Sequence, residues 1–307
     1  MIGVLEGFGV IGAVILAGYL VGRARVLGET GHFVWNRTVF FIALPCLLFT
    51  LLGTADPAEL VSPVAVIAFC AALVTATVSV LIGRLVLHRS LGELVIGAMG
   101  SAYLNSNNIG LPVAVYVLGS AAAVAPIILM QLVFFVPPVM VLLERAALGE
   151  KASTAHTLLA AMRNPLVIAS VSGTLVSLLH IPVPAVAFAP LQLIGDAAVP
   201  LMLMGFGLSL NGAQILRAGT GRRDVVVNSV LKVVFMPAIA WLLGAYVFRL
   251  DAQLLHRATV LAALPAAQNV ANYASRFGIA ADRARDIVLV TTLAAVPVLL
   301  IVNMLLV

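Results

Sequence analysis

Residues 101–112 read SAYLNSNNIGLP, and they lie inside an apolar segment long enough to cross a bilayer. Lipid contains no water, so Asn105, Ser106, Asn107 and Asn108 in a row are tolerable only against protein or a wet cavity. Pro112 has no amide hydrogen, and its ring clashes with the carbonyl four residues back. The helix must therefore break or kink nearby. A second stretch, 264–278, has the same character: LPAAQNVANYASRFG carries Pro265, Gln268, Asn269 and Asn272. Two interrupted, amide-bearing helices, one in each half of a membrane chain, are the pattern that marks a ligand site at mid-membrane.

Composition sets the class. Of 307 residues, 63% are hydrophobic and 9% charged, and the mean hydropathy is +1.16. A soluble domain carries roughly 25% charged residues, so this is an integral membrane protein. The longest polar gap, about 144–164, is too short to hold a soluble core. A net charge of +5 does not signal nucleic acid, because the basic residues sit in short loops where topology accounts for them. Cys46 and Cys70 fall inside apolar spans and read as packing residues. The amino terminus lacks a basic leader and a small-residue cleavage site, so it reads as a retained span.

Ten spans are expected, each near the ~20 residues that cross the hydrocarbon: 4–22, 34–53, 62–87, 93–118, 124–143, 165–181, 188–210, 225–248, 256–278 and 286–306. Fourteen of the 17 basic residues then fall on one side: Arg23, Arg25, Arg37, Arg84, Arg89, Arg145, Lys151, Arg163, Arg217, Arg222, Arg223, Arg276, Arg283 and Arg285. Only Arg249 and Arg257 lie opposite. The bias places both termini outside the cytoplasm.

Five spans per half is an odd number, so a duplicated unit must sit inverted. Residues 1–150 and 151–307 form the two expected halves. AGYLVGRARVLG (17–28) echoes SGTLVSLLHIPV (172–183), and FIALPCLLFTLL (41–52) echoes AAVPLMLMGFGL (197–208), pairing Pro45 with Pro200. Span four matches span nine in its asparagines. Spans five and ten each hold a mid-membrane proline, Pro137 with Pro138 and Pro297.

On NRTVFFIALPCLLF (36–49), NSNNIGLPVAVYVLG (105–119), GDAAVPLMLMGFGLSL (195–210), VLKVVFMPAIA (230–240) and LPAAQNVANYASRFG (264–278), the chain resembles the auxin efflux carrier family. That family includes plant PIN-type carriers and bacterial malonate-permease-like proteins. The resemblance implies an all-α integral membrane protein of ten transmembrane helices, as two inverted five-helix repeats. Helices 1, 2, 6 and 7 would form a scaffold, and helices 3–5 and 8–10 a transport domain in which broken helices 4 and 9 cross. Elevator-type movement and a homodimer are implied as well. The long cytoplasmic loop of many plant members shrinks here to about 144–164, so regulation through that loop does not carry over.

A broken helix exposes amides at the positive end of one half and carbonyls at the other. Two such breaks meeting at mid-membrane suit an anion, and asparagine amides can donate to its carboxylate oxygens. The expected substrate residues are Asn105, Asn107, Asn108, Pro112, Gln268, Asn269 and Asn272. Some of these amides can equally cap the breaks or join helices. Lys232, the one lysine well inside a span, can supply a fixed positive charge, pair with a carboxylate, or snorkel. Asp196 is the coupling candidate for H+ or Na+, with helix capping or lysine pairing as alternatives. Glu6 and Asn303 should touch headgroups or water. Trp35 reads as an interface anchor and Trp241 as packing. Gln131, Thr291 and Thr292 can line a path or bond between helices. His88, His156 and His256 show no metal-ligand spacing, and no cofactor is expected.

No GxxxxGK[ST], HExxH or GxSxG is present, so neither ATP-driven transport nor a hydrolase is indicated. Nor is there the charged ring or filter of a channel. The expected function is a secondary carrier of a small organic anion, a mono- or dicarboxylate, in the cytoplasmic membrane. The alternatives are a sodium-coupled symporter of the bile-acid type and a non-transporting receptor on the same fold.

Overall fold

The computed structural model describes residues 2–28, 30–55, 62–149, 159, 162–211 and 221–306. Lys151, His156 and Arg217 lie outside these, as does the side chain of Glu6. The described chain is helical apart from links and one isolated antiparallel bridge, Leu104 to Ala266.

In order, the helices are α1 (Ile2–Arg23), α2 (Gly31–Thr38), α3 (Leu44–Gly53), α4 (Pro63–Leu85), α5 (Leu91–Ala102), α6 (Leu111–Tyr116), α7 (Ala125–Met130), α8 (Val136–Leu148), α9 (Pro165–Leu178), α10 (Ala185–Asp196), α11 (Ala198–Ser209), α12 (Arg222–Val230), α13 (Met236–Leu242), α14 (Ala252–Ala262), α15 (Asn269–Phe277) and α16 (Ala281–Leu306). Some run on through π-turns, so that among the described residues six continuous helices are long and apolar enough to cross a membrane. These are Phe33–Gly53, Pro63–Leu85, Ala121–Leu148, Ala185–Ser209, Arg222–Val247 and Ala281–Leu306. Shorter apolar helices occupy Gly9–Arg23, Leu91–Ala102 and Pro165–Leu178. Large apolar side chains such as Phe41, Val186, Leu193 and Met304 stay exposed, which suits lipid rather than water.

Four of the π-turns follow from proline chemistry. Those at Val39–Ala43, Ser106–Gly110, Gln131–Phe135 and Leu231–Phe235 each end two residues before Pro45, Pro112, Pro137 and Pro237. A proline withholds the i−4 hydrogen bond and pushes on that carbonyl, so the preceding turn widens to i→i−5. Pro297 instead sits inside the α-helix α16.

The chain divides into two compact units. The first comprises Met1–Ser62, Asn107–Leu132 and Met162–Ala213. Without a hydrophobic drive between helices in lipid, close backbone approach supplies the packing. Gly18 lies against the Met204 main chain, and Gly207 against the Ile15 carbonyl, so a Cβ at either would collide. Trp35 Nε1 donates to the Leu201 carbonyl at 2.7 Å, a bond that joins two helices. Asn211 Nδ2 donates to the Tyr19 carbonyl at 3.0 Å.

The second unit comprises Pro63–Ser106, Val133–Ala161 and Gln214–Val307. One end is clasped by charge. Arg89 donates Nε to Asp224 Oδ1 at 2.9 Å and Nη2 to Oδ2 at 2.6 Å. Arg283 reaches Asp224 Oδ1 at 3.4 Å and also pairs with Glu93. Glu93 accepts from the Ser90 N–H in a capping box that starts α5. The starts of α5, α12 and α16 are thereby tied together. Gly221, the N-cap of α12, has φ +68°, and a Cβ there would lie 2.8 Å from Arg283 Cδ. At its other end Asn303 is buried, its Oδ1 2.8 Å from His256 Nε2 and its Nδ2 donating to Leu299. It does not reach out to headgroups.

Candidate functional site

Within the second unit, both marked stretches are interrupted, and the interruptions meet. After Ala102 the chain turns extended at Tyr103 (φ −82°, ψ 112°). After Ala262, Pro265 supplies the second break. A residue before proline is pushed out of the α region, and proline itself donates no hydrogen.

Two extended links in lipid need partners for their main-chain groups, and here they use each other. The Asn105 N–H donates to the Pro265 carbonyl at 2.9 Å, and the Ala267 N–H to the Tyr103 carbonyl at 3.0 Å. Between them Ala266 N–H donates to Thr291 Oγ1 at 3.1 Å. The Thr291 hydroxyl donates onward within α16 to the Ile287 carbonyl at 2.7 Å, so this side chain ties the second break to α16. Thr292 likewise bonds its own helix, at Val288.

Lys232, in the π-turn after α12, is completely buried. Its Nζ lies 3.1 Å from the Ala262 carbonyl oxygen and 3.2 Å from Met236 Sδ. Ala262 is the last residue of α14, where unpaired carbonyls carry the negative end of the helix dipole. The ammonium is therefore held by a helix end. Among the described residues it forms no ion pair.

Beyond the break, α15 starts at Asn269, with Gln268 as an N-cap that makes no side-chain capping bond. Its positive dipole end adjoins the paired breaks. Asn105 is buried, Gln268 and Asn269 half-buried, and Asn272 exposed. Asn105, Gln268, Asn269, Asn272 and Lys232 thus belong to one unit, and three of the five sit at the paired breaks or on the half-helix end beside them.

The remaining expected residues belong to the first unit. Asn107 and Asn108 lie in the π-turn Ser106–Gly110, which Pro112 terminates. Asn107 Oδ1 is buried without a hydrogen-bond partner. Asp196 ends α10 and is exposed. It lines a cavity of about 580 Å³ within this unit, with Thr50, Leu111, Tyr116, Gln192 and Pro200 among its walls. The Thr50 hydroxyl is spent on the Cys46 carbonyl at 3.0 Å.

Tyr103 and the Ala262 carbonyl are absent from the residues expected from sequence. A tyrosine in an apolar span reads as packing, and a main-chain acceptor has no side-chain signature. The one available signal for Tyr103 was its place two residues before Asn105, inside the marked stretch.

Comparison with known proteins identifies the family. The family described as "Membrane transport protein" matches residues 8–303. A Rhizobium meliloti (strain 1021) protein named "Putative malonate transporter" is 29% identical over 312 residues, covering 95% of this chain and 91% of that one. A Methanothermobacter thermautotrophicus protein named "Uncharacterized transporter" is 29% identical over 232 residues, covering 74% and 73%. The chain belongs to the membrane transport protein family, that of the auxin efflux carriers.

Proposed function

We propose that the protein is a secondary carrier of a small organic anion, a mono- or dicarboxylate, in the cytoplasmic membrane. The observation that carries this reading is the meeting of two broken helices in one unit, with the Lys232 ammonium at the carbonyl end of α14 and Asn269 at the amide end of α15. Lys232 offsets the negative helix end and leaves the positive one to attract an anion. Asn105, Gln268, Asn269 and Asn272 donate to its carboxylate oxygens. Asn107, Asn108 and Pro112, in the first unit, are proposed as substrate residues on their sequence pattern alone. A relative bearing a malonate name supports a dicarboxylate as the first compound to try.

The same proposal has ten spans in two inverted repeats, termini outside the cytoplasm, a homodimer and elevator-type alternating access. The grouping of α1–α3 and α9–α11 in one unit and α4, α5, α8 and α12–α16 in another supports a scaffold and a transport body, although α6 and α7, expected in the transport body, fall in the first unit. Asp196 is the proposed coupling carboxylate, for H+ or Na+.

Counterflow in proteoliposomes tests the reading, with malonate, lactate and an indole carboxylate as solutes. Exchange of at least one of them is expected. It should be lost in Asn108→Ala and Asn269→Ala proteins that still insert and fold. Exchange by both variants at the wild-type rate would discard this site, and binding without exchange would make the protein a receptor. Repeating uptake with and without sodium separates a bile-acid-type symporter from a sodium-independent carrier.

A further inference from the structure

We propose that α15 walls a wet route from the paired breaks to the cytoplasmic face, with Arg276 at its mouth drawing the substrate anion in. The inference rests on the carrier reading above, in which that anion binds at the breaks.

The helix has two unlike faces. It packs against α16, α5 and α8, and its Val270 and Ala274 are completely buried. Asn272, Ser275 and Arg276 are exposed, and Asn269 is half-buried. The spacing i, i+3, i+7 sets Asn269, Asn272 and Arg276 in one stripe along the helix. Amides and a guanidinium left open do not face hydrocarbon, so this stripe borders water. Nine residues cover about 13 Å, close to half of the ~30 Å hydrocarbon. A helix of that length starting at the breaks reaches the membrane surface where it ends. It ends at Gly278, whose φ of +68° closes it, on the side that the basic loops assign to the cytoplasm.

Arg276 supplies the charge at that end. Arg89, Arg283 and Arg285 of the same unit are each paired with carboxylates. Among the described residues Arg276 forms no ion pair. Its guanidinium lies 5.6 Å from the centre of the Phe277 ring, a contact that holds it beside the helix end. An unpaired cation where a wet stripe meets low-dielectric surroundings raises the local concentration of anions. A dianion gains twice what a monoanion does, so the position favours a dicarboxylate.

The first experiment needs no substrate. Ser275→Cys should react with a membrane-impermeant maleimide much faster in inside-out than in right-side-out vesicles, after subtraction of the labelling of the unmodified protein. Val270→Cys, buried on the same helix, should stay unlabelled in both. A Ser275→Cys protein that resists the reagent in inside-out vesicles, or reacts as fast in right-side-out ones, overturns the route. The second experiment is a kinetic split, with malonate, lactate and indole-3-acetate offered at the cytoplasmic face of inside-out vesicles. At low salt Arg276→Gln should raise KM about fivefold for malonate and about twofold for a monocarboxylate. Near 1 M salt, where the Debye length is about 3 Å, both increases should vanish. Maximal rate should stay close to wild type, and Arg276→Lys should restore affinity. An arginine serving only the dipole at the end of α15 would lower the melting temperature with KM unchanged at every salt, and that result overturns its role. Transport of none of the three solutes would overturn the carrier reading and the role of Arg276 with it. The labelling of Ser275→Cys would still measure the wet face by itself.

Discussion

Lys232 Nζ lies 3.1 Å from the carbonyl oxygen of Ala262, so a fully buried ammonium is held by the end of a helix. Burying an unpaired charge is costly. The terminal carbonyls of α14 supply a compensating partial charge of about half a unit. The compensation is incomplete, and on the proposed reading the residual positive field attracts the substrate anion.

Lys232→Met is expected to keep the packing volume while removing that field. Replacing a buried charge by an apolar residue of similar size is often neutral or stabilising, so the melting temperature should hold or rise. Uptake of an anion should fall at least tenfold, or about 1.4 kcal/mol. Full uptake by the variant would exclude the fixed-charge role.

Thr291 is the side-chain partner of the main chain at the second break. Thr291→Val leaves the Ala266 N–H buried with its acceptor gone, at a cost of about 1–3 kcal/mol. Thr291→Ser keeps the oxygen and should lose much less. Melting curves of the two variants in one detergent separate them, and equal curves would mean that water or another group replaces Thr291.

How far the sequence led can be judged at particular residues. Pro265 and the asparagine run were legible as interruptions, because proline geometry is local and amides in an apolar span need an explanation. The π-turns before Pro45, Pro112, Pro137 and Pro237 follow from the same local rule. What joins the two breaks was not legible. Tyr103 to Ala267 and Asn105 to Pro265 are main-chain bonds between segments about 160 residues apart, and such bonds carry no residue code. Lys232 stood out as a buried charge, yet its partner is a carbonyl. Arg89 and Arg283 were read as topology markers, a role that their pairing with Asp224 does not alter. Asn303 was misread because its partner, His256, is distant in sequence.

The charge clasp gives a stability prediction. Asp224 is nearly buried and receives both Arg89 and Arg283. Asp224→Ala leaves two guanidiniums without their shared carboxylate and should cost about 2–4 kcal/mol. Arg89→Ala removes the more exposed partner while Arg283 stays beside Asp224, so its cost should be smaller. The order is read from melting temperatures at low and moderate salt. Melting unchanged in Asp224→Ala would show that the clasp contributes nothing to folding.

A last prediction concerns the first unit, where two glycines on different helices behave oppositely. At Gly207 an added Cβ would collide with the Ile15 carbonyl and lie 2.7 Å from the Tyr19 nitrogen, both rigid main chain. At Gly9, on α1, an added Cβ meets nothing within 4 Å. Alanine has the better helix propensity, by about 1 kcal/mol. Gly9→Ala should therefore be neutral or mildly stabilising. Gly207→Ala must push α1 and α11 apart and so forfeit dispersion contacts along their seam, which is what holds helices together in lipid. It should fold in lower yield and melt earlier, by the equivalent of about 1–3 kcal/mol for an overpacked site. Size-exclusion profiles and melting of the two variants, made side by side, check the contrast. If Gly207→Ala matched Gly9→Ala, the close approach of α1 and α11 would not be required for folding.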